Sequence, residues 1–295
     1  MPHPVLRAAA LHDMSGFGRT SLTVAIPILS SMGIQVCPLP TAVLSTHTVE
    51  FTDYSLLDLT EEMPRILTHW EQLGLHFDAV YSGFMASPAQ MDYVARCIDR
   101  CLMPGGLAVV DPVLGDNGVL DPTMTPEMVA GMRALVRKAK VITPNFTEAA
   151  FLLNEPCRTG ISRAELADWL LRLRAMGPDM VVITSVPAGE PGHLAVVAAQ
   201  GDPLRLWHID TKHIPAHYPG TGDAFTSVLT GSLLRGDSLP IAMDRAVRFV
   251  NLGIRETFDH GTPMREGIAL ESILHTLSLT LTESRCRPFE LETAP

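Results

Sequence analysis

Short apolar runs alternate with longer amphipathic stretches along the whole chain. A run of about four to eight apolar residues bounded by Gly, Pro or polar residues reads as a buried strand; apolar positions recurring every third or fourth residue read as a helix with one buried face. The pattern predicts strands over 6–11, 35–38, 79–82, 107–110, 141–143 and 180–184. It predicts helices over 20–32, 61–73, 88–101, 126–138, 163–176, 222–234, 241–258 and 270–281, with Pro27 kinking the first or marking its true start. Segments 193–199 and 204–209, parted by Gly201-Asp202-Pro203, predict an antiparallel hairpin on the sheet edge. Parallel strands need long crossovers, so this alternation sets the fold class as α/β with a mostly parallel sheet. No repeat, linker or compositional break divides the chain. One domain over 1–285 is expected, followed by a frayed tail over 286–295.

A chain of 295 residues buries enough surface to hold together without staples. No apolar run approaches the ~18 residues of a membrane helix, so no membrane partner is expected. The first eleven residues lack the basic, apolar and small-residue regions of a signal peptide, and the expected location is cytoplasmic. Cys37, Cys97, Cys101, Cys157 and Cys286 form no C-x-x-C pair and are expected as reduced thiols; Cys97 and Cys101, one helical turn apart, read as packing residues rather than metal ligands. The net charge of −10, with no basic cluster to offset it, excludes nucleic acid as an expected partner. A small phosphorylated ligand stays compatible, because helix N-termini and a bound Mg²⁺ hold phosphate without a basic protein.

In open α/β sheets the ligand site lies at the carboxyl ends of the strands. Polar residues and glycines concentrate at those points: His12-Asp13-Met14-Ser15-Gly16, Ser45-Thr46-His47-Thr48, Ser82-Gly83-Phe84 and Thr184-Ser185 among them. In Gly220-Thr221-Gly222-Asp223, two glycines free the backbone at a helix start and an acid sits in its first turn. Phosphoryl transfer needs both: amides and the helix dipole receive charge on the moving group, and a carboxylate takes the proton of the attacking hydroxyl. The alternative is an acid that merely favours the helix start. Asp111-Pro112-Val113-Leu114-Gly115-Asp116 puts two hard carboxylates at a strand end, suited to Mg²⁺ or to a plain Asp-Pro turn. Thr143-Pro144-Asn145-Phe146-Thr147-Glu148 repeats the arrangement, with Glu148 aligning a metal-bound water or serving as a helix cap. No G-x-x-x-x-G-K-[ST] loop is present, and Gly16-Phe17-Gly18-Arg19-Thr20-Ser21 begins like G-x-G-x-x-G but has Ser at the third glycine.

Taken in chain order, Gly220 to Asp223, Asp111 to Asp116 and Thr143 to Glu148 resemble the ribokinase-like superfamily, and within it the pyridoxal/pyridoxamine kinases, with hydroxymethylpyrimidine kinases as neighbours. The resemblance covers nearly the whole chain. It implies a three-layer α/β/α sandwich and an ATP-dependent kinase acting on the 5′-hydroxymethyl of a vitamin B6 vitamer for PLP salvage, with hydroxymethylpyrimidine (phosphate) kinase as the alternative. By resemblance Asp223 is the base; Gly220, Thr221 and Gly222 form the anion hole; Asp111, Asp116 and Glu148 organise Mg²⁺; and Thr143, Asn145, Thr184, Ser185 and Asp116 hold ATP. The stretch Ala42-Val43-Leu44-Ser45-Thr46-His47-Thr48 resembles the B6-kinase segment lining the pyridine pocket, which implies Ala42 and His47 in the wall and Thr48 on the ring hydroxyl; for His47 an ordinary buried, satisfied histidine is the other reading. His12-Asp13 departs from the usual Ser-His toward the hydroxymethylpyrimidine kinases, implying Asp13 against the ring nitrogen or an exocyclic amine; Phe84 replaces a frequent Tyr and keeps a stacking face. Segment 211–218, with His213 and His217, reads as a flap over ATP or as a plain connector. Relatives are usually homodimers, and a monovalent cation such as K⁺ is left open.

Overall fold

Residues 5–190, 192–212, 214–281 and 283–289 are described by the computed structural model. In chain order the elements are β1 (Arg7–Phe17), α1 (Leu22–Ser31), β2 (Gln35–Thr46), β3 (Leu56–Asp58), α2 (Met63–Gln72), β4 (Phe77–Ser82), α3 (Pro88–Cys101), β5 (Leu102–Val110), β6 (Gly115–Asp116) and β7 (Val119–Leu120). They continue as α4 (Pro126–Val136), β8 (Val141–Ile142), α5 (Phe146–Leu153), α6 (Arg163–Ala175), β9 (Met180–Pro187), β10 (His193–Gln200), β11 (Arg205–Lys212), α7 (Thr221–Leu234), α8 (Leu239–Asp259) and β12 (Arg287–Pro288).

Ten strands form one sheet in the order β12-β11-β10-β9-β8-β5-β4-β1-β2-β3. The strands from β9 to β2 in that order run parallel, and the predicted hairpin, β10 with β11, extends one edge antiparallel. The chain leaves β1 for β2 on one side and returns to β4 on the other, so the order reverses between β1 and β4, where open α/β sheets bind ligands. Strand residues such as Ala8, Ala9, Ala10 and Leu11 are wholly buried because helices cover both faces. One core joins Leu67 of α2, Val94 of α3, Met132 of α4, Ala149 of α5 and Trp169 of α6 to the sheet; the other joins Ile28 of α1, Val228 of α7 and Ala246 of α8. These are the three layers of an α/β/α sandwich.

Helix starts follow local chemistry. Ser87 accepts from the Gln90 amide ahead of Pro88, Thr125 does the same for Met128 ahead of Pro126, and Ser162 with Glu165 closes a full capping box. Three expectations need correction. The first strand does not end at 11: β1 pairs on with β2 as far as Phe17↔Thr46, slipping register between His12 and Met14. No helix spans 270–281; only short 3₁₀ turns form at Met264–Glu266 and Leu274–Ser278, where Thr276 and Ser278 turn their hydroxyls onto the carbonyls of Ile273 and His275 instead of supporting a regular helix. The start of the expected tail belongs to the sheet, with Arg287 and Pro288 paired to β11 and Phe289 packed in the core. In β2, Pro38 and Pro40 lie opposite Ala10 and His12, before β3 begins to cover the outer side at Ala42.

Candidate active site

The helix α7 begins on Gly220, held in the left-handed region at φ 80° and ψ 0°. A Cβ at 220 would also run into the Arg19 carbonyl, so only glycine fits the turn. No side chain caps this helix, which leaves its first amides without intrahelical partners. Thr221 donates to the Tyr218 carbonyl at 3.1 Å and fixes the approach. At Gly222 nothing lies within 4 Å of where a Cβ would be. The backbone there is open to a cavity of about 570 Å³ whose wall includes Asp111, Asp116, Thr143, Asn145, Glu148, Thr184, Ser185 and Gly220 to Asp223. Residues in or just beyond strands β5, β6, β8 and β9 and at the starts of helices α5 and α7 thus share a space large enough for a nucleotide-sized ligand.

Asp223 is part of that wall. Its Oδ2 accepts the Ser21 amide at 2.8 Å, and its Oδ1 lies 3.9 Å from His12 Nδ1. Burial, followed by the negative charges of Asp111 and Asp13, pushes its pKa up to about 8. Asp111 is raised to about 8 by burial and the Glu148 charge, although Thr226 donates to its Oδ2 at 3.0 Å. Glu148 is raised to about 7, chiefly by burial, while the amides of Asn145 and Leu114 donate to it and oppose the shift. The site is crowded with acid, and Lys212 is the one basic Lys or Arg on its described wall.

The capping reading of Asn145 and Glu148 is realised as well: Asn145 Oδ1 accepts the Glu148 amide, and Glu148 accepts the Asn145 amide, a complete capping box for α5. Asn145 also donates through Nδ2 to the Gly115 carbonyl at 2.8 Å, which ties the start of α5 to β6. Asp116 is exposed on the rim, its carboxylate accepting the Asn117 amide. Thr184 bridges to Asn145, and Ser185 stands exposed at φ 56°. Of the expected flap, Thr211, Lys212, Ile214, Ala216, His217 and Tyr218 line the cavity, and His213 lies outside the described residues.

Asp13, Ala42, His47, Thr48 and Phe84 do not line this cavity. Asp13 is buried, accepting Ser21 Oγ on one oxygen and Ser15 Oγ at 3.2 Å on the other, while the Ser21 amide serves Asp223. Ala42 is buried in β2, and Thr41 beside it donates to the Phe84 carbonyl at 3.5 Å. His47 is a satisfied buried histidine. Its Nδ1 accepts the Val49 amide, so Nε2 carries the proton and donates to the Arg265 carbonyl at 2.6 Å. Thr48 is exposed. Three residues to which the sequence assigned no role stand out here. His12 is wholly buried with neither ring nitrogen hydrogen-bonded, and burial lowers its pKa to about 3, so it is neutral. Ser82 is buried with an unpartnered hydroxyl at the end of β4. Ser21 touches two of the acids; its sequence signal was the serine standing at the third glycine of a near-motif.

A doubly wound sandwich with an uncapped, glycine-lined helix start facing buried carboxylates defines a small-molecule kinase of the ribokinase-like class. The chain belongs to the phosphomethylpyrimidine kinase family, whose profile matches residues 29–266. It is 26% identical over 268 residues to a pyridoxal kinase of Leifsonia xyli, covering 87% of this chain and 91% of that one. It is 29% identical to a pyridoxine/pyridoxal/pyridoxamine kinase of Bordetella bronchiseptica, covering 83% and 87%. Among solved structures, a candidate phosphomethylpyrimidine kinase of Bacteroides thetaiotaomicron, crystallised with pyridoxal, superposes with a TM-score of 0.92 at 51% identity over 96% of this chain and 99% of that one. A pyridoxal kinase of Lactobacillus plantarum gives 0.85 at 32% over 93% and 97%.

Proposed function

We propose that this enzyme transfers the γ-phosphoryl group of ATP to the 5′-hydroxymethyl of pyridoxal, pyridoxine or pyridoxamine, for salvage of the 5′-phosphate cofactor. The observation that carries the reading is the open backbone of Gly222 beside Asp223, at the start of a helix whose amides no side chain uses. Asp223 then takes the proton of the attacking hydroxyl, and its raised pKa makes it a stronger base than a carboxylate in water. The first amides of α7 receive the negative charge that builds on the transferred group. Thr143, Asn145, Thr184 and Ser185 face the same space and are the residues we assign to the nucleotide phosphates.

The acids also fit a divalent cation: Asp111 and Glu148 are both held above their ordinary range, and burial with their mutual charge is the cause on Asp111. Among the described residues no cluster of three or more His, Cys, Asp or Glu forms a ready metal cage, so Asp111 and Glu148, with Asp116 at the rim, would share Mg²⁺ with substrate phosphates and water. Mg²⁺ bound there would neutralise phosphate charge during in-line transfer.

For the ring, Asp13, His47, Thr48, Ala42 and Phe84 are assigned to the side of Asp223 away from the nucleotide, and the pyridoxal-bound Bacteroides relative supports a B6 substrate. Hydroxymethylpyrimidine is the second reading, favoured by the family description and by an acid at position 13. A second copy of the chain is the proposed partner, on the β1–β2–β3 edge where Phe17, Leu56 and Leu57 are 51%, 51% and 61% exposed. No described helix is long and apolar enough to cross a membrane; a cytoplasmic location is part of the proposed reading. The deciding experiment is a Mg-ATP kinase assay across the three vitamers and hydroxymethylpyrimidine. ADP release on a vitamer above the pyrimidine rate is expected; turnover of the pyrimidine alone would replace the B6 reading, and turnover of neither would end both.

A further inference from the structure

Ser21 occupies a backbone conformation that serine avoids. Its φ of 54° and ψ of −126° belong to the region that glycine visits freely and a residue with a Cβ enters only under strain. It is also the N-cap of α1, where a serine hydroxyl ordinarily accepts an amide of the first turn, yet it makes no such bond. The Ser21 carbonyl does hold the helix start, accepting the amides of Val24 and Ala25 at 3.0 and 2.9 Å. Neither backbone preference nor capping therefore accounts for a serine, rather than glycine, at this position.

Its polar groups point elsewhere. The Ser21 amide donates to Asp223 Oδ2 at 2.8 Å, and the Ser21 hydroxyl donates to Asp13 Oδ1. Ser21 is buried; its bond to Asp13 forms away from water, and its bond to Asp223 is partly buried beside the cavity. Just before it, the Arg19 carbonyl abuts the turn at Gly220, which braces this loop against the start of α7.

We infer that Ser21 is a positioning residue that registers the substrate-side carboxylate of Asp13 against the base Asp223, one residue gripping both acids. This rests on the roles given to those two acids under the proposed function. Asp13 on β1 and Asp223 on α7 come from elements far apart in the chain, and Ser21 bonds to both. The amide fixes the base, the hydroxyl fixes Asp13, and the strained backbone sets the angle between them, so a ring held by Asp13 presents its hydroxymethyl to Asp223 in one pose.

Ser21→Gly tests this cleanly, because it keeps the amide on Asp223, removes the strain and deletes only the hydroxyl. Steady-state kinetics with pyridoxal and ATP, read beside thermal unfolding, should give a kcat/KM for pyridoxal about tenfold or more below wild type. The KM for ATP should stay within about twofold of wild type, and the melting midpoint should be equal or higher. Ser21→Ala should lose as much on pyridoxal but melt lower than the glycine variant, since it keeps the strain. A Ser21→Gly enzyme with wild-type kcat/KM for pyridoxal overturns the inference while leaving the kinase reading intact. A loss shared equally by the pyridoxal and ATP parameters, together with a lower midpoint, also overturns it by reducing Ser21 to a fold residue. A wild type that phosphorylates no vitamer removes the reading and the inference together.

Discussion

Asp223 holds its proton to about pH 8 because it is buried among other acids, and this makes its replacement informative. Asp223→Asn keeps the shape and removes the basic oxygen; kcat should fall roughly 10²- to 10⁴-fold with the KM for ATP nearly unchanged. As the proposed base, Asp223 works only when deprotonated, so wild-type activity should fall as pH drops through the Asp223 pKa, and the residual rate of Asp223→Asn should lack that limb. A second test concerns His12, whose ring fills the space where Gly83 lacks a side chain. Gly83→Ala should push the ring aside and destabilise the protein by about 1–3 kcal/mol in urea unfolding, the range for overpacking a core. The acids of the site were legible from two local signals: Asp111 directly follows an apolar run at a strand end, while Glu148 and Asp223 each sit in the first turn of a helix, behind Thr143-Pro144-Asn145 and Gly220-Thr221-Gly222. The bond of His47 to the Arg265 carbonyl, 218 residues away in sequence, has no local signal, and neither does the Ser21 grip on Asp223, 202 residues away.

At the scale of elements, α7 separates folding from function. Gly222 lies inside the first turn at a position where a methyl group meets nothing, and alanine is the better helix former. Gly222→Ala should therefore stabilise the unliganded protein by up to about 1 kcal/mol in chemical denaturation, while ATP turnover falls because the methyl group stands where the phosphoryl oxygens would come. Greater stability with undiminished turnover would mean that the open space serves no ligand. The helix α3 was readable to the residue because Ser87 and Pro88 punctuate its start. The continuation of β1 to Phe17 was not, because those residues look polar and irregular until β2 lies beside them. Periodicity alone also misreads 270–281: Leu270, Ile273 and Leu277 are spaced like a helix face and are buried, but short 3₁₀ turns achieve the same burial.

In the whole molecule, Asp223 and Asp111 near 8 and Glu148 near 7 stand well above the 3.8 and 4.5 of free carboxyls. Between about pH 4 and 8 the folded chain thus holds more protons at these groups than the unfolded one. Their contribution to stability is present at low pH and lost as pH rises through the folded values. Thermal unfolding should show a lower midpoint at pH 8.5 than near pH 6, by roughly 2–4 °C for each kcal/mol lost, and Mg²⁺ with ATP should restore more at the higher pH. An unchanged gap with Mg-ATP would detach the acids from the cation. The apolar β1–β2–β3 edge makes a separate prediction: Leu57→Lys should convert the proposed dimer to monomers in sedimentation without unfolding the chain.

The two prolines of β2 act at that same scale. Pro38 and Pro40 share one parity, so the amide hydrogens they lack are missing from one side of the strand, and that side is the outer one, because β1 occupies the inner. Along this stretch the sheet ends in carbonyls with no donors between them. A foreign extended peptide laid there would find half of its ladder unmade, so the margin resists runaway strand addition and fibrillar stacking even though the protein carries sticky side chains only a few residues further on.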